Sequence, residues 1–165
     1  VGCGTGLSFE PLLERVGPSG RVLAFEQSPE MFAQAQARVL AKGWLNVDLV
    51  QTNAESYQAP CPIDAVLMHY VHDISRTDAA VDNLLGPLRP GTRIGMAGMK
   101  YFSGALRVLN WLAYMKNRPY NVLAHELHQP WDKVQRYVPN WQLQSTQWGM
   151  GFIGHGQIGM KGVSK

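Results

Sequence analysis

The chain has 165 residues, of which 45% are hydrophobic and 16% are charged. This balance excludes an intrinsically disordered chain and predicts a single globular domain over 1–165 with a buried core. No apolar run reaches the roughly 18 residues that a membrane-spanning helix needs.

The formal net charge of +3 is unevenly distributed along the chain. Residues 1–82 carry a net charge of −5, whereas residues 83–165 carry +8. This asymmetry favours an anionic partner for the second half, with a solvated basic surface as the alternative. The two cysteines, Cys3 and Cys61, match neither a metal motif nor a disulfide framework, which predicts a cytoplasmic protein.

The first hundred residues alternate between helical and strand patterns. Leu12, Leu13 and Val16 predict a helix in "LSFEPLLERV", and the apolar run "RVLAFE" predicts a buried strand. A second helix is predicted in "SPEMFAQAQARVLAKG", with Ser28 as its cap and Gly43 at its end. Further strands are predicted in "VDLVQ", "IDAVLMHY" and "TRIGMAGM", and a helix in "DAAVDNLLGPL". The order predicts an α/β protein with a Rossmann-like, doubly wound, mostly parallel sheet and helices on both faces.

The last third of the chain has a different pattern. A helix is predicted in "SGALRVLNWLAYMKN" and a short helix in "PWDKVQRYV". Two segments, "WQLQSTQWG" and "GFIGHGQIGMKG", predict an antiparallel strand pair joined by a tight turn. Within the single domain we therefore expect a cofactor-binding core over 1–100 and an acceptor-side, sheet-completing region over 101–165.

Three glycines, Gly2, Gly4 and Gly6, precede the first predicted helix. A glycine loop at the carboxyl end of a parallel strand lets backbone approach a ligand closely, and the following helix offers free N–H groups. Glu26 ends the next predicted strand, 20 residues after Gly6. A carboxylate at this position can accept both hydroxyl hydrogens of a ribose, so the pattern predicts a nucleoside ligand. The G-x-G-x-G spacing differs from the G-x-G-x-x-G of dinucleotide folds, which favours a ligand without a pyrophosphate.

The motifs "VGCGTG", "VLAFEQSPEM", "VQTNAES", "IDAVLMHYVHD" and "LRPGTRIGM" follow one another in the order seen in class I S-adenosylmethionine-dependent methyltransferases. The chain resembles that family over about residues 1–100. The resemblance implies S-adenosyl-L-methionine as cofactor. It implies that the amino-acid and sugar part of the cofactor lies against Gly2, Cys3, Gly4 and Gly6, and that Glu26 binds the ribose hydroxyls. It places the adenine beside Gln27 and Ser28, with Asn53 at the adenine amino group and Ala54 at the same ring, and it places His69 and Tyr70 at the methionine end and the acceptor.

The sequence departs from the family pattern in two places. The family's first strand runs into the glycine loop, and only Val1 of it is present here, so we expect a fragment with a gap in the middle of its sheet and exposed strand edges. Gly86 and Pro87 are also unusual for the helix that they follow.

Two histidines are candidate general bases. His69 and His72 follow the predicted strand "IDAVLMHY", at the ligand end of the sheet, where an imidazole can accept a proton from the methyl acceptor. The alternative for either is a hydrogen bond near the loop. Asp73 could orient such a histidine, but capping of the next helix is favoured. We expect no metal site, because His125 and His128, with Glu126 between them, lack a third ligand at a suitable spacing.

The aromatic and basic residues of the second half leave the acceptor open. On a helix, Arg107, Trp111, Tyr114 and Arg118 share one face, which suits a bilayer interface or an anionic amphiphile, whereas packing on the sheet edge is the alternative. Three further tryptophans are expected in the core: Trp131, Trp141 and Trp148.

Taken together, these patterns predict a methyltransferase acting on a small-molecule or lipid-like acceptor, with peripheral membrane contact as an open alternative. We expect no nucleic-acid partner, because "MHYVHD" replaces the Asn/Asp-Pro-Pro-aromatic motif expected for methylation of an exocyclic base amine. The alternatives are a cofactor-binding fragment or module without catalysis and, less favoured by the glycine spacing, a nicotinamide-dependent oxidoreductase.

Overall fold

The computed structural model describes residues 1–100 and 129–160. In these ranges the predicted helices and strands occur in the predicted order, with one additional short helix at His72–Ser75. The chain divides into two compact units, residues 1–61 and residues 62–165. The expectation of one domain over the whole chain stays a prediction. The following predicted features lie outside the described residues: the helix "SGALRVLNWLAYMKN", Arg107, Trp111, Tyr114, Arg118, His125, Glu126 and His128.

The first unit contains two helices and two strands. Its elements are α1 (Phe9–Val16), β1 (Val22–Glu26), α2 (Pro29–Lys42) and β2 (Val47–Gln51). The two strands pair in parallel, so that Glu26 lies opposite Gln51 at their carboxyl ends. The core of this unit is formed by buried residues from both helices and from β1: Phe9, Val22, Ala24 and Ala35.

Helix α2 begins and ends where the sequence predicts. The Ser28 side chain accepts a hydrogen bond from the backbone N–H of Met31 at 3.3 Å, and Pro29 occupies the first turn, where its missing N–H is harmless. Gly43 ends the helix in the left-handed region, with φ of 64°, which costs glycine little.

The second unit opens with a parallel strand pair. Its first elements are β3 (Ala65–His69), α3 (His72–Ser75), α4 (Asp78–Leu85) and β4 (Arg93–Met99). Strands β3 and β4 pair in parallel, with His69 opposite Ala97. Helix α4 ends at Leu85, directly before Gly86 and Pro87.

The end of the described chain adds an antiparallel strand pair to the same sheet. After α5 (Asp132–Gln135) come β5 (Gln142–Thr146), a 3-10 turn (Gln147–Gly149) and β6 (Gly151–Gln157). The sheet order is β3-β4-β6-β5, and β6 runs antiparallel to both of its neighbours. The strands of the described residues thus form two sheets, one in each unit.

Two expectations about individual residues are wrong. Trp148 was expected in the core but is 96% exposed, because it lies at the tip of the turn between β5 and β6. Trp131, by contrast, is 8% exposed and belongs to the core as predicted. Asp73 does not cap a helix: it lies inside the first turn of α3, whose N-cap is Val71. The local sequence favours capping, but α3 begins two residues earlier than that role requires.

Candidate cofactor and acceptor sites

The glycine loop adopts a backbone that other residues rarely take. Gly2, Gly4 and Gly6 have φ values of 54°, 55° and 76°. At Gly6 the packing is also tight, because a Cβ atom would lie 2.7 Å from the ring of Phe9. The Arg38 guanidinium donates from Nε to the carbonyl oxygen of Thr5 at 2.9 Å, which ties the loop to α2. Glycine is therefore required at Gly6 by both conformation and space.

The Glu26 carboxylate lies at the carboxyl end of β1, is 7% exposed and is held by three backbone donors. Oε1 accepts from the N–H groups of Gln27 at 3.0 Å and Ser28 at 2.9 Å. Oε2 accepts from the N–H of Gly4 at 2.8 Å. Because each carboxylate oxygen has about two lone-pair directions, one direction remains on Oε2 for a further donor. The loop and the carboxylate predicted from sequence are thus brought together.

The Cys3 thiol lies in the same loop and stays protonated at neutral pH. Burial, and secondly the negative charge of Glu26, raise the pKa of Cys3 to about 11. Its backbone N–H donates to the carbonyl oxygen of Phe25 at 2.9 Å, so the loop runs beside the end of β1. Cys3 therefore contributes backbone and an uncharged side chain to this site.

The residues after β2 lie at the same end of the strand pair. The Thr52 N–H donates to the carbonyl oxygen of Glu26 at 3.1 Å, which brings the segment that follows to the end of β1. Asn53 is exposed and its Oδ1 accepts from the Ser56 N–H at 2.9 Å, whereas Ala54 is buried. The Asn53 oxygen is therefore held in place by a local turn, with a second lone pair available to a ligand.

Gln27 and Ser28 begin the turn from β1 into α2. Gln27 is exposed, so its side chain is accessible to a ligand at this end of the strand. The Ser28 hydroxyl is engaged in the helix cap, donating to Glu30 at 2.8 Å. Contact of Ser28 with a ligand is therefore expected through its backbone or Cβ atom.

In the second unit, an aromatic cluster lies at the carboxyl end of β3. His69 and Tyr70 are exposed, with ring centroids 4.9 Å apart and an edge-to-face arrangement. The Tyr70 ring is also perpendicular to that of His72, at 6.4 Å. Tyr70 has a φ of 56°, and its N–H donates to the carbonyl oxygen of Ala97 at 2.9 Å, so the strand ladder holds the unfavourable backbone in place.

His72 is engaged by the end of β4. Its Nε2 accepts from the Met99 N–H at 3.1 Å, and a Cβ at Gly98 would lie 2.6 Å from its Cε1. A neutral ring that accepts at Nε2 carries its proton on Nδ1. Burial lowers the pKa of His72, with Asp73 raising it and Arg76 lowering it to smaller extents. The role of His72 as a general base stays a prediction. In this geometry, Nε2 can accept a proton only after its hydrogen bond from the Met99 N–H has broken.

Sequence reasoning missed a second group beside this cluster. Gln147 donates from Nε2 to the Tyr70 hydroxyl oxygen at 3.4 Å, and Trp148 follows it at the tip of the β5–β6 turn. Lys100 is tied to the same turn, because its N–H donates to the carbonyl oxygen of Met150 at 2.7 Å. The dipeptide Trp148-Gly149 was the available signal, since a glycine between two predicted strands indicates a turn.

Every helix in 1–100 and 129–160 is too short or too polar to cross a lipid bilayer. In the same ranges, no three side chains among histidine, cysteine, aspartate and glutamate gather into a group that could ligate a metal ion.

Comparison with solved structures defines the fold. A SAM dependent methyltransferase from Aquifex aeolicus matches 95% of this chain over 79% of its own, with a TM-score of 0.61 and 17% identity. The N-methyltransferase NodS from Bradyrhizobium japonicum, in complex with S-adenosyl-l-homocysteine, matches 95% of this chain over 74% of its own, with a TM-score of 0.64 and 14% identity. These likenesses confirm the predicted Rossmann-like α/β fold.

Sequence comparison then identifies the family. Residues 1–91, more than half of the chain, match the family described as Methyltransferase domain, and the chain belongs to that family. A protein-L-isoaspartate O-methyltransferase from Ignicoccus hospitalis is 35% identical over 69 residues, which cover 41% of this chain and 33% of that protein. The chain thus spans about a third of the length of this curated relative. The family confirms S-adenosylmethionine as the predicted cofactor.

Proposed function

We propose that this chain is an S-adenosylmethionine-dependent methyltransferase whose acceptor is a small molecule or a lipid-like molecule. The observation that carries the proposal is the Glu26 carboxylate, which accepts hydrogen bonds from three backbone N–H groups, one of them in a loop of left-handed glycines. The cofactor, when bound, supplies an electrophilic methyl group on a sulfonium centre, so the protein's tasks are alignment, exclusion of water and proton removal.

The donors and acceptors of the first unit fit an adenosine. We propose that Oε2 of Glu26 accepts a ribose hydroxyl in its remaining lone-pair direction, while backbone of the loop over 2–6 lies against the sugar and the amino-acid part. The adenine would lie beside Gln27, with Asn53 Oδ1 accepting from its amino group and Ala54 contacting the ring. The structure supports this placement because these residues all lie at the carboxyl ends of β1 and β2.

For proton removal we propose His69 rather than His72. His69 is exposed at the end of β3, whereas the Nε2 lone pair of His72 is engaged by the Met99 N–H. His69 would accept the proton of an O–H or N–H acceptor, and that proton would leave to solvent afterwards. His72 would keep the end of β4 in position.

The test is isothermal titration of the purified chain with S-adenosylmethionine, S-adenosylhomocysteine and, as a control ligand, NADH. We expect micromolar binding of the first two and no binding of NADH. The variant Glu26→Ala should lose most of that affinity, and Glu14→Ala, which removes an exposed carboxylate of α1, should keep it.

Three other outcomes would contradict the proposal. Binding of NADH alone would indicate an oxidoreductase. Binding of both adenosyl ligands, with no S-adenosylhomocysteine released in the presence of phenolic, amine, carboxylate or lipid acceptors, would indicate a cofactor-binding module. No binding by a folded chain would contradict the assignment of the glycine loop and Glu26.

A further inference from the structure

Three residues other than glycine have a left-handed backbone in the described ranges: Tyr70, Gln147 and Trp148. They are far apart in sequence but adjacent in the second unit, because Gln147 Nε2 lies 3.4 Å from the Tyr70 hydroxyl oxygen. Residues in sparsely populated backbone regions concentrate at functional sites, where the surrounding structure holds the strain. Their meeting at one place therefore indicates a functional surface.

The turn that contains Trp148 has a residue poorly suited to its backbone. Trp148 has φ of 57° and ψ of 24°, Gly149 has φ of 99°, and the Met150 N–H donates to the Gln147 carbonyl oxygen at 3.1 Å. This is a type I′ turn, whose first central position prefers asparagine, aspartate or glycine. The Trp148 side chain is also 96% exposed, so it contributes almost nothing to the core. Neither the turn nor the core accounts for a tryptophan at this position, and its indole is accessible to a ligand.

A cation accompanies these aromatic rings. The Lys100 ammonium donates to the Ser145 hydroxyl at 2.6 Å and lies 5.9 Å from the centre of the Trp131 ring. The Tyr70 hydroxyl oxygen accepts from Gln147, which leaves its own proton to donate to a ligand. The residues at and beside the β5–β6 turn thus supply an indole face, a phenol donor and a positive charge.

We propose that Trp148, Tyr70 and Lys100 bind the methyl acceptor, and that this acceptor is a flat aromatic molecule with a negative charge. The inference rests on the proposed function and narrows its acceptor class. Stacking on an indole selects a planar ring, and the ammonium selects an anion. A lipid surface is a less suitable partner for this turn, because an interfacial site needs a broad apolar face with several basic residues. The turn carries a single indole, and its neighbours in the chain are Gln147 and Gly149.

The probe is 3-hydroxy-2-naphthoate, titrated into the full chain with and without saturating S-adenosylhomocysteine. Decanoate, an aliphatic carboxylate of similar carbon number, and uncharged 2-naphthol are the comparison ligands. We expect the naphthoate to bind at least about tenfold more tightly than decanoate, since only the naphthoate can stack on an indole. Lys100→Gln should weaken the binding of the naphthoate and leave the binding of 2-naphthol unchanged.

The decisive variant is Trp148→Asn, which suits the type I′ turn. We expect it to weaken naphthoate binding by about tenfold or more and to raise the melting temperature by about 2–4 °C. Trp148→Phe should retain part of the binding. The control is Leu45→Asn, which replaces a different exposed apolar side chain, 98% exposed in Leu45. It should leave naphthoate binding unchanged.

The failure of this inference can be told from the failure of the proposed function. If the wild-type chain does not bind S-adenosylhomocysteine, the proposed function is contradicted. The naphthoate titration without S-adenosylhomocysteine would still test the aromatic site. The inference is overturned if the wild-type chain does not bind the naphthoate, if Trp148→Asn binds it equally well, or if phosphatidylglycerol vesicles bind through Trp148 instead.

Discussion

The backbone N–H of Gly4 donates to Oε2 of Glu26 over 2.8 Å, although 22 residues separate them in the chain. This bond joins the glycine loop to the end of β1. Gly4 donates from a left-handed backbone, with φ of 55°, which glycine adopts at little cost. The loop and the end of β1 therefore meet at this carboxylate.

Replacement of Glu26 should weaken cofactor binding. We expect Glu26→Ala to lower the affinity for S-adenosylhomocysteine by about 1–3 kcal/mol, because a charge-assisted hydrogen bond is lost. Glu26→Gln should also weaken binding, since its amide N–H₂ would face the backbone donors that now approach the carboxylate. Isothermal titration measures both, and unchanged affinity in a folded variant would contradict the role of Glu26.

The two reasons for glycine at Gly6 can be separated by a matched variant. Gly43, which ends α2, has φ of 64° in the left-handed region, and a Cβ at Gly43 would meet no atom within 4 Å. We expect Gly43→Ala to destabilise the fold by about 1 kcal/mol through its backbone alone. Gly6→Ala should cost about 1–3 kcal/mol more, because the methyl group overlaps the Phe9 ring. Urea unfolding measures the difference, and equal losses would exclude the Phe9 contact as a cause.

His72 should make stability depend on pH on the acid side of neutrality. Burial lowers its pKa below the ordinary value of 6.5, so near and below that pH the unfolded chain binds the proton more readily than the folded chain. Stability is therefore complete above about pH 6.5 and decreases as the pH falls towards the lowered pKa. Protonation of Nε2 would also break its bond from the Met99 N–H.

The measurement is the free energy of unfolding between pH 5 and pH 8 for the wild-type chain and His72→Gln. We expect the variant to lose part of the acid-side slope. His155→Gln, which removes an exposed imidazole from β6, is the control and should keep the wild-type slope. Identical slopes in wild type and His72→Gln would show that His72 is not buried as described.

Asp78 should contribute to the stability of the fold only at low salt concentration. It accepts hydrogen bonds from Lys133 and from Arg136, the latter at 2.6 Å, and these two donors lower the pKa of Asp78. The pairs join α4 to the region of α5, but they are exposed, so salt screens them. Asp78→Asn should lower the melting temperature slightly in 20 mM NaCl and not in 1 M NaCl. Asp64→Asn, another exposed aspartate of the second unit, should show no such salt-dependent loss.

Local patterns were sufficient to predict most of the fold. The helix cap at Ser28, the stop at Gly43 and the buried strand before Glu26 are local features, and each predicted its element correctly. The loop and the carboxylate could also be paired from sequence, because glycines and an acidic strand end have a known spacing in nucleotide-binding folds.

Features that depend on distant contacts could not be predicted. The engagement of His72 requires the end of β4, 27 residues away, and nothing in "HYVHD" indicates it. Trp148 was placed in the core because large apolar residues are usually buried. Its exposure follows from the turn geometry, which is set by the register of β5 with β6.

Helix α2 anchors the loop and the carboxylate at the same time. Near its start, the Ser28 N–H holds Glu26, and near its end Arg38 holds the carbonyl oxygen of Thr5. Both sides of the proposed nucleoside site are thus held by a single helix. If an adenosine binds there as proposed, the loop and the carboxylate are already ordered, and little chain entropy is lost on binding. Binding to this half should accordingly be fast and should leave the amide hydrogen-exchange rates of α2 nearly unchanged.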